Sequence, residues 1–185
     1  MSTLKVNNVT DLGADAVVTD GVIDSGALPT GSILQVVSTT KTDAFSAVLA
    51  SGADTAITGL SVSITPTSTS SKVYVIASVS NAVAVTAADL ILKRDSTEIG
   101  LGNAVGSRGR VTAGGNSPAS SRELNSSAIN FLDSPSTTSS ITYSINIFNG
   151  RNSSDTVYVN RSSADADASN FTRSSSTITV MEVAG

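Results

Sequence analysis

The sequence contains no cysteine, no histidine and no tryptophan, and its aromatic residues are three tyrosines and four phenylalanines in a chain of 185 residues. The absence of cysteine and histidine excludes disulfides, thiolate nucleophiles, imidazole bases and the commonest zinc ligands. No stretch reaches the roughly 18 apolar residues of a membrane-spanning helix, and the start of the chain lacks the basic and apolar segments of a signal peptide. We therefore expect neither membrane insertion nor a signal peptide.

Charge is also scarce, since charged residues make up 14% of the chain and the net charge is −4. Nucleic-acid binding depends on clustered lysine and arginine, so nucleic acid is not an expected partner. The carboxylates are scattered at turns and strand ends, and none form the facing pair that glycoside hydrolysis needs. Serine nucleophiles would lack a histidine base. We expect no enzymatic activity, no catalytic residues, no cofactor and no bound metal.

The residues that are abundant favour strands joined by polar turns. There are 33 Ser, 22 Thr and 14 Gly, a composition that disfavours long helices. Short apolar or alternating segments predict nine strands: Ile33–Thr39, Leu60–Thr65, Val73–Ser80, Asp89–Asp95, Glu98–Leu101, Ala128–Leu132, Ile141–Phe148, Thr156–Asn160 and Thr177–Val183. The fold class predicted is all-β, an antiparallel β-sandwich.

Two kinds of strand pattern stand out. Leu60, Val62 and Ile64 alternate strictly with hydroxyl residues, which predicts a strand with one buried face. The segments 73–77 and 156–159 are apolar on both faces. Such a strand either has a neighbouring subunit on its second face or lies in the centre of an ordinary sandwich.

The turns give a weak internal repeat. Pro66 and Pro135 each begin a hydroxyl-rich turn, and a tyrosine follows eight residues later, at Tyr74 and Tyr143. Two such turns fit equivalent corners of two sheets, which makes the predicted sandwich jelly-roll-like. Residues 106–121, rich in Gly and Ser, predict a long exposed loop.

Residues 1–31 differ from the rest of the chain because their apolar residues follow neither strand nor helix spacing. The segment ends at a Pro-Thr-Gly turn, so we predict an extended N-terminal attachment arm at 1–31 and a β-sandwich domain at 32–185. The alternative is that this segment packs on its own domain as an edge strand. The candidate attachment residues are Leu4, Val6, Val9, Leu12, Val17 and Val18.

Two other segments carry candidate binding chemistry. Arg108 and Arg110 flank a glycine in the predicted loop and could contact a neighbouring subunit or bind an anionic ligand. Oxygen donors alternate over 165–170, as in calcium sites, but the Gly and distal Glu of a calcium loop are missing, so a solvated loop is expected. Because Tyr74, Tyr143, Phe148 and Tyr158 lie in predicted strands, we expect them in the core.

Several segments together resemble fibre and other virion surface proteins of marine tailed phages, especially cyanophages. The resembling segments are 2–7 (STLKVN), 17–23 (VVTDGVI), 31–43 (GSILQVVSTTKTD), 59–72 (GLSVSITPTSTSSK), 94–100 (RDSTEIG), 106–108 (GSR) and 176–183 (STITVMEV). They span most of the chain.

This resemblance implies a non-enzymatic structural protein of a tailed-bacteriophage virion, made in the host bacterial cytoplasm and displayed on the particle surface. It also implies a β-sandwich assembled as a homotrimer, with other virion structural proteins as partners through the arm. One role is a short tail-fibre or receptor-binding protein that contacts a host surface receptor. The alternative is a capsid decoration (cement) protein bound to the head surface.

Overall fold

The computed structural model describes residues 28–83, 88–115 and 120–185, together with the backbone of three short strands nearer the N-terminus. Within these residues the chain is all-β and contains no helix. The strands are β1 (Asn8–Thr10), β2 (Ala16–Thr19), β3 (Val22–Ile23), β4 (Ile33–Lys41), β5 (Phe45–Leu49), β6 (Asp54–Ile64), β7 (Lys72–Val83), β8 (Ala88–Arg94), β9 (Thr97–Ile99), β10 (Asn125–Asp133), β11 (Ile141–Asn149), β12 (Asp155–Val159) and β13 (Ser176–Val183).

Ten of these strands form two antiparallel sheets that pack together as a sandwich. Sheet I contains β10, β7, β13 and β4 in that order. Beyond the end of β13, β12 pairs with the same edge of β7, and β5 pairs with β12 as β4 pairs with β13. Sheet II has the order β6-β11-β8-β9. When β4–β5 and β12–β13 are each counted as one interrupted strand, the orders become 1-8-3-6 and 2-7-4-5. This is the strand order of an eight-stranded jelly roll, so the predicted fold class is confirmed.

Asn160 stabilises sheet I where it is interrupted, between β4 and β5 and between β12 and β13. Its backbone N–H donates to the Ser80 carbonyl at 2.9 Å, and its side-chain amide donates to the carbonyls of Lys41 (2.9 Å) and Asp43 (3.0 Å). The Ser176 hydroxyl donates to its Oδ1 at 2.6 Å. Asn160 is fully buried and has a φ of +61°, a conformation that Asn tolerates better than most residues. One side chain therefore replaces the ladder bonds lost at the interruption.

The core fills the space between the sheets with aliphatic side chains from alternate strand positions. Leu60, Val62 and Ile64 are at most 4% exposed, whereas Ser61 and Ser63 are exposed. The predicted alternation is therefore confirmed.

Tyr143 is the largest fully buried side chain, and its hydroxyl donates to Asp133 Oδ2 at 2.7 Å. The same carboxylate binds Arg94 at 2.8 Å. Burial, together with the Asp133 carboxylate, raises the pKa of Tyr143, so the phenol stays a neutral donor.

The sandwich has two distinct ends. At the arm end, residues 28–32 join β4, and the N–H of Gly31 donates to the Ala184 carbonyl at 2.8 Å. The two proline turns, 65–71 and 134–140, also lie at this end, where each crosses from one sheet to the other as the repeat predicted. At the loop end lie the β5–β6 turn, the β11–β12 turn and the long connection from β9 to β10.

All nine predicted strands are present, and β4, β6, β7 and β10 are each at least two residues longer than predicted. The sequence patterns missed β5 and the first half of β6, because Phe45–Leu49 is short and residues 54–59 do not alternate cleanly. The loop predicted at 106–121 contains no strand in its described residues, although Ala113 forms a single bridge with Leu90.

Within the N-terminal segment, the strands β1, β2 and β3 pair only with one another among the described residues. β1 pairs with β2 and β2 pairs with β3, all antiparallel, in a separate three-stranded sheet. The strands of the predicted arm thus fold back on one another instead of running as one extended segment. The boundary at residue 31 and the attachment role stay predictions.

Candidate functional site

The outer face of sheet I carries a row of apolar side chains near the arm end. Val36 is opposite Met181, Met181 is opposite Tyr74, and Tyr74 is opposite Leu132, so the four form one line across the sheet. Val36 is 56% exposed and Leu132 is 49% exposed, while Met181 and Tyr74 are half-buried. We call these four residues the apolar row.

The apolar row shows where the second apolar face of β7 lies, on the outside of sheet I. The segment 73–77 is apolar on both faces because Val73, Val75 and Ala77 enter the core while Tyr74 and Ile76 point outward. In the second such segment Tyr158 is also half-buried, and the Arg161 guanidinium lies 4.8 Å from its ring centre. The expectation that Tyr74 and Tyr158 are core residues was wrong, since side chains of alternate parity on these strands face away from the core.

The outer face of sheet II carries a cluster of charged and polar side chains around Lys93, in contrast to the apolar row on sheet I. Lys93 forms ion pairs with Asp54 at 2.8 Å and with Glu98 at 3.6 Å, and the Asn146 amide donates to the same Asp54 carboxylate. The hydrogen bond that Lys93 donates to the Asp54 carboxylate raises the pKa of Lys93. Because these charged groups are already paired with one another, we do not expect this region to bind a second protein.

A cleft of about 490 Å³ opens at the loop end, beside this outer face of sheet II. Asp89 on β8 and Phe148 on β11 are directly opposite each other in the ladder, so both project from one face. The long β9–β10 connection adds Ser107 and Arg110, and the β11–β12 turn adds Arg151. Three parts of the chain that are remote in sequence therefore meet at one site.

Asp89 is the central polar group of the cleft. Its Oδ1 accepts a hydrogen bond from the Gly115 N–H at 2.8 Å, and none of the ion pairs among the described residues includes it. Burial raises the pKa of Asp89, and the bond from Gly115 only partly opposes this effect. A carboxylate without a cation partner in a cleft is a candidate for ligand contact.

Two glycines allow the cleft walls to approach each other. A Cβ atom at Gly150 would lie 2.8 Å from Asp89 Oδ2, and one at Gly109 would lie 3.1 Å from the Phe148 ring. Glycine at both positions thus lets the loop backbone lie close to the carboxylate and to the aromatic ring. Phe148 was expected in the core, but it lines the cleft because its strand position faces outward.

The structure separates the two predicted arginines. Arg110 lines the cleft and its Nε donates to the Gly102 carbonyl at 2.7 Å, which fixes the side chain. Arg108 lies outside the lining, in an exposed turn where its Nη1 approaches the Val105 carbonyl at 3.4 Å. Arg151 also lines the cleft, with Asp155 as an ion-pair partner at 3.5 Å.

The calcium-like segment has a different organisation. Asp165 binds Arg173 at 2.7 Å and Arg161 at 3.3 Å. Two guanidinium groups therefore neutralise the carboxylate that a cation would need. Among the described residues no group of three acidic side chains is placed to hold a metal ion.

Of the six candidate attachment residues, Leu4, Val6 and Leu12 lie outside the described residues. Val9 on β1 is paired with Val18 on β2, and Val17 lies beside it on β2. Sequence reasoning did not select Asp89, Phe148 or Arg151 as site residues. The only usable signal was Gly150, two residues after Phe148 in the chain, and it has no distinctive spacing.

No protein-family model matches the sequence, and no curated protein matches it. Solved structures with a similar arrangement include a VP2 subviral particle of infectious bursal disease virus, at 13% identity and a TM-score of 0.41, which covers 81% of this chain and 38% of that one. The structure of infectious bursal disease virus Gt strain gives 11% identity and a TM-score of 0.41, covering 98% and 43%. A mutant VP2 protein in derived T=1 particles gives 14% and 0.41, covering 96% and 41%.

The chain thus spans about two fifths of the length of these proteins. Among the described residues no helix is both long and apolar enough to cross a membrane.

Proposed function

We propose that this protein is a non-enzymatic structural component of a tailed-phage virion, displayed on the particle surface as a homotrimer and acting as a short tail-fibre or receptor-binding protein. The observation that carries the proposal is the separation of two surfaces on one jelly roll. The apolar row and residues 28–32, which lead into β4, lie toward the arm end, and the polar cleft opens at the loop end.

The fold supports this proposal because jelly rolls are used by viral capsid proteins and lectins as rigid carriers of surface loops. The sequence resemblance to phage surface proteins points to the virion among these uses. A rigid sandwich joined to its particle at one end presents the loops of the other end outward.

The apolar row supports self-association. Exposed apolar side chains normally occur singly on a soluble monomer, whereas here Val36 and Leu132 are connected through the half-buried Met181 and Tyr74 into one row across four strands. A symmetric assembly of identical chains would cover the row in every copy. The ion-paired outer face of sheet II then stays in water.

Mass measurement by light scattering tests the assembly. The wild-type protein is expected at about three times 18.6 kDa. Val36→Asp should give a folded monomer, because it places a charge in the covered row. Thr40→Asp is the matched control, since Thr40 is exposed on the same face of β4 outside the row. A monomeric wild type would remove the trimer, and dissociation by both variants would show that the row is not the interface.

Particle incorporation tests the virion role. Deletion of residues 1–28 should leave the sandwich folded but abolish co-sedimentation with purified virions, and Val17→Ser with Val18→Ser should weaken it. Normal incorporation of the truncated protein would place the docking surface in the sandwich instead. Copy number then separates the two roles, because a decoration protein is present in far more copies per particle than a tail fibre.

A further inference from the structure

We infer that the cleft at the loop end binds a carboxylate-bearing saccharide, with the guanidinium groups of Arg110 and Arg151 on the ligand carboxylate and Asp89 on its hydroxyls. This inference deepens the receptor-binding role and rests on the proposed function for its biological meaning. The binding itself is a property of the purified protein.

The charges of the cleft select an anionic ligand. Among the described residues the Arg110 guanidinium makes one hydrogen bond, from its Nε to the Gly102 carbonyl, so its terminal nitrogens keep their donors for a ligand. Among the described residues the Arg151 guanidinium makes one ion pair, a long contact of 3.5 Å with Asp155. Guanidinium groups bind carboxylates through two parallel hydrogen bonds, which makes a carboxylate the best-matched anion. The protein as a whole is acidic, with a net charge of −4, so these two arginines give the cleft a local positive charge.

The other groups of the cleft select a saccharide rather than a simple acid. Asp89 Oδ1 is already bound to Gly115, which leaves Oδ2 to accept hydrogen bonds from hydroxyl groups. Ser107 and Asn152 also line the cleft and can both donate and accept. Phe148 supplies an apolar wall for the C–H face of a sugar ring. A volume of about 490 Å³ lies within the usual range for small-ligand sites.

The cleft is also held in shape before any ligand arrives. Asp89 is fixed by the Gly115 N–H and Arg110 by the Gly102 carbonyl, at 2.8 and 2.7 Å. Gly150 keeps the space beside Asp89 Oδ2 open, since a Cβ there would lie 2.8 Å from that oxygen. Fixed polar groups lose little conformational entropy on binding, which favours recognition of a specific ligand.

Titration calorimetry with an oligosaccharide ending in glucuronic acid, and with its glucose-terminated counterpart, tests the inference. The acidic sugar should bind at least about tenfold more tightly than the neutral one, and the difference should shrink as salt is raised. Arg110→Gln should weaken binding of the acidic sugar by about tenfold or more. Arg108→Gln is the matched control, because Arg108 lies on the same loop outside the cleft, and it should bind like the wild type.

Gly150→Ala gives a second variant that changes no charge. Its added methyl group should crowd Asp89 and weaken binding of both sugars, while the thermal unfolding midpoint verifies that each variant is folded. Equal binding of the two sugars, equal loss in Arg108→Gln and Arg110→Gln, or equally tight binding of a peptide with a free carboxylate would overturn the inference. No binding of the acidic sugar at millimolar concentration would overturn it too, and normal virion incorporation in that case would leave the proposed virion role intact.

Discussion

Glu182 on β13 offers the sharpest test of how this sandwich is stabilised. Its side chain is fully buried near the arm end. Oε1 accepts hydrogen bonds from the N–H (2.6 Å) and hydroxyl (2.7 Å) of Thr67, and Oε2 accepts one from the Gln35 amide at 2.6 Å. None of the ion pairs among the described residues includes Glu182. Burial would raise the pKa of this carboxyl, but the hydrogen bonds outweigh it and hold the pKa below its usual value.

Substitution of Glu182 by Gln keeps the shape but removes the charge and one acceptor. The Thr67 N–H, the Thr67 hydroxyl and the Gln35 amide are then three donors for one acceptor oxygen. Gln35 can accept a hydrogen bond from the new amide only by turning its own amide, which breaks its 2.8 Å bond to the Thr65 carbonyl. Hydrogen bonds to charged groups are worth about 1.5–3 kcal/mol and neutral ones about 1 kcal/mol. Loss of one bond and weakening of two gives an expected destabilisation of roughly 2–4 kcal/mol for Glu182→Gln.

Urea unfolding at one fixed protein concentration measures this change as a midpoint shift at constant slope. Glu98→Gln is the control, because Glu98 is an exposed partner of a long ion pair on the β8–β9 hairpin, and such pairs contribute about 1 kcal/mol or less.

The stabilising effect of Glu182 should be lost toward low pH. A carboxyl whose pKa is lower in the folded state stabilises the protein above its unfolded pKa of about 4.3, and this stabilisation is lost as the pH falls through the folded pKa. The difference between wild type and Glu182→Gln should therefore shrink below about pH 4. A constant difference down to strongly acidic pH, or a loss no larger than that of Glu98→Gln, would refute the reasoning.

Three further substitutions probe other parts of the sandwich. Val62→Asp should destabilise by several kcal/mol and Ser63→Asp by less than about 1 kcal/mol, because only Val62 faces the core; equal effects in urea would mean that both faces are buried. Asn160→Gly keeps the left-handed backbone accessible but removes three side-chain hydrogen bonds, so a loss of about 2–4 kcal/mol is expected in the same assay; an unchanged midpoint would show that the backbone alone holds the junction. Tyr143→Phe should cost about 1–2 kcal/mol by thermal unfolding, since Asp133 keeps its arginine, and a stabilised variant would contradict the assigned hydrogen bond.

The sequence by itself determined the fold class and most of the strands. Local alternation such as that of Leu60, Val62 and Ile64 reflects the period of the strand itself, so it can be recognised without knowing which strands pair. The two proline turns are likewise local signals, and both lie at sheet-to-sheet crossings. The absence of histidine and cysteine can also be seen in the sequence alone, and it excludes disulfides, thiolate nucleophiles and imidazole bases.

Only the tertiary structure decided which residues share a surface. The apolar row joins Val36, Tyr74, Leu132 and Met181, and the cleft joins Asp89, Arg110 and Phe148, because antiparallel registers bring distant segments side by side. The 1-8-3-6 strand order is equally invisible in a pattern that repeats every two residues. Local periodicity says which way a side chain points, whereas a site depends on which strand lies next to it, and that choice is made by packing across the whole core.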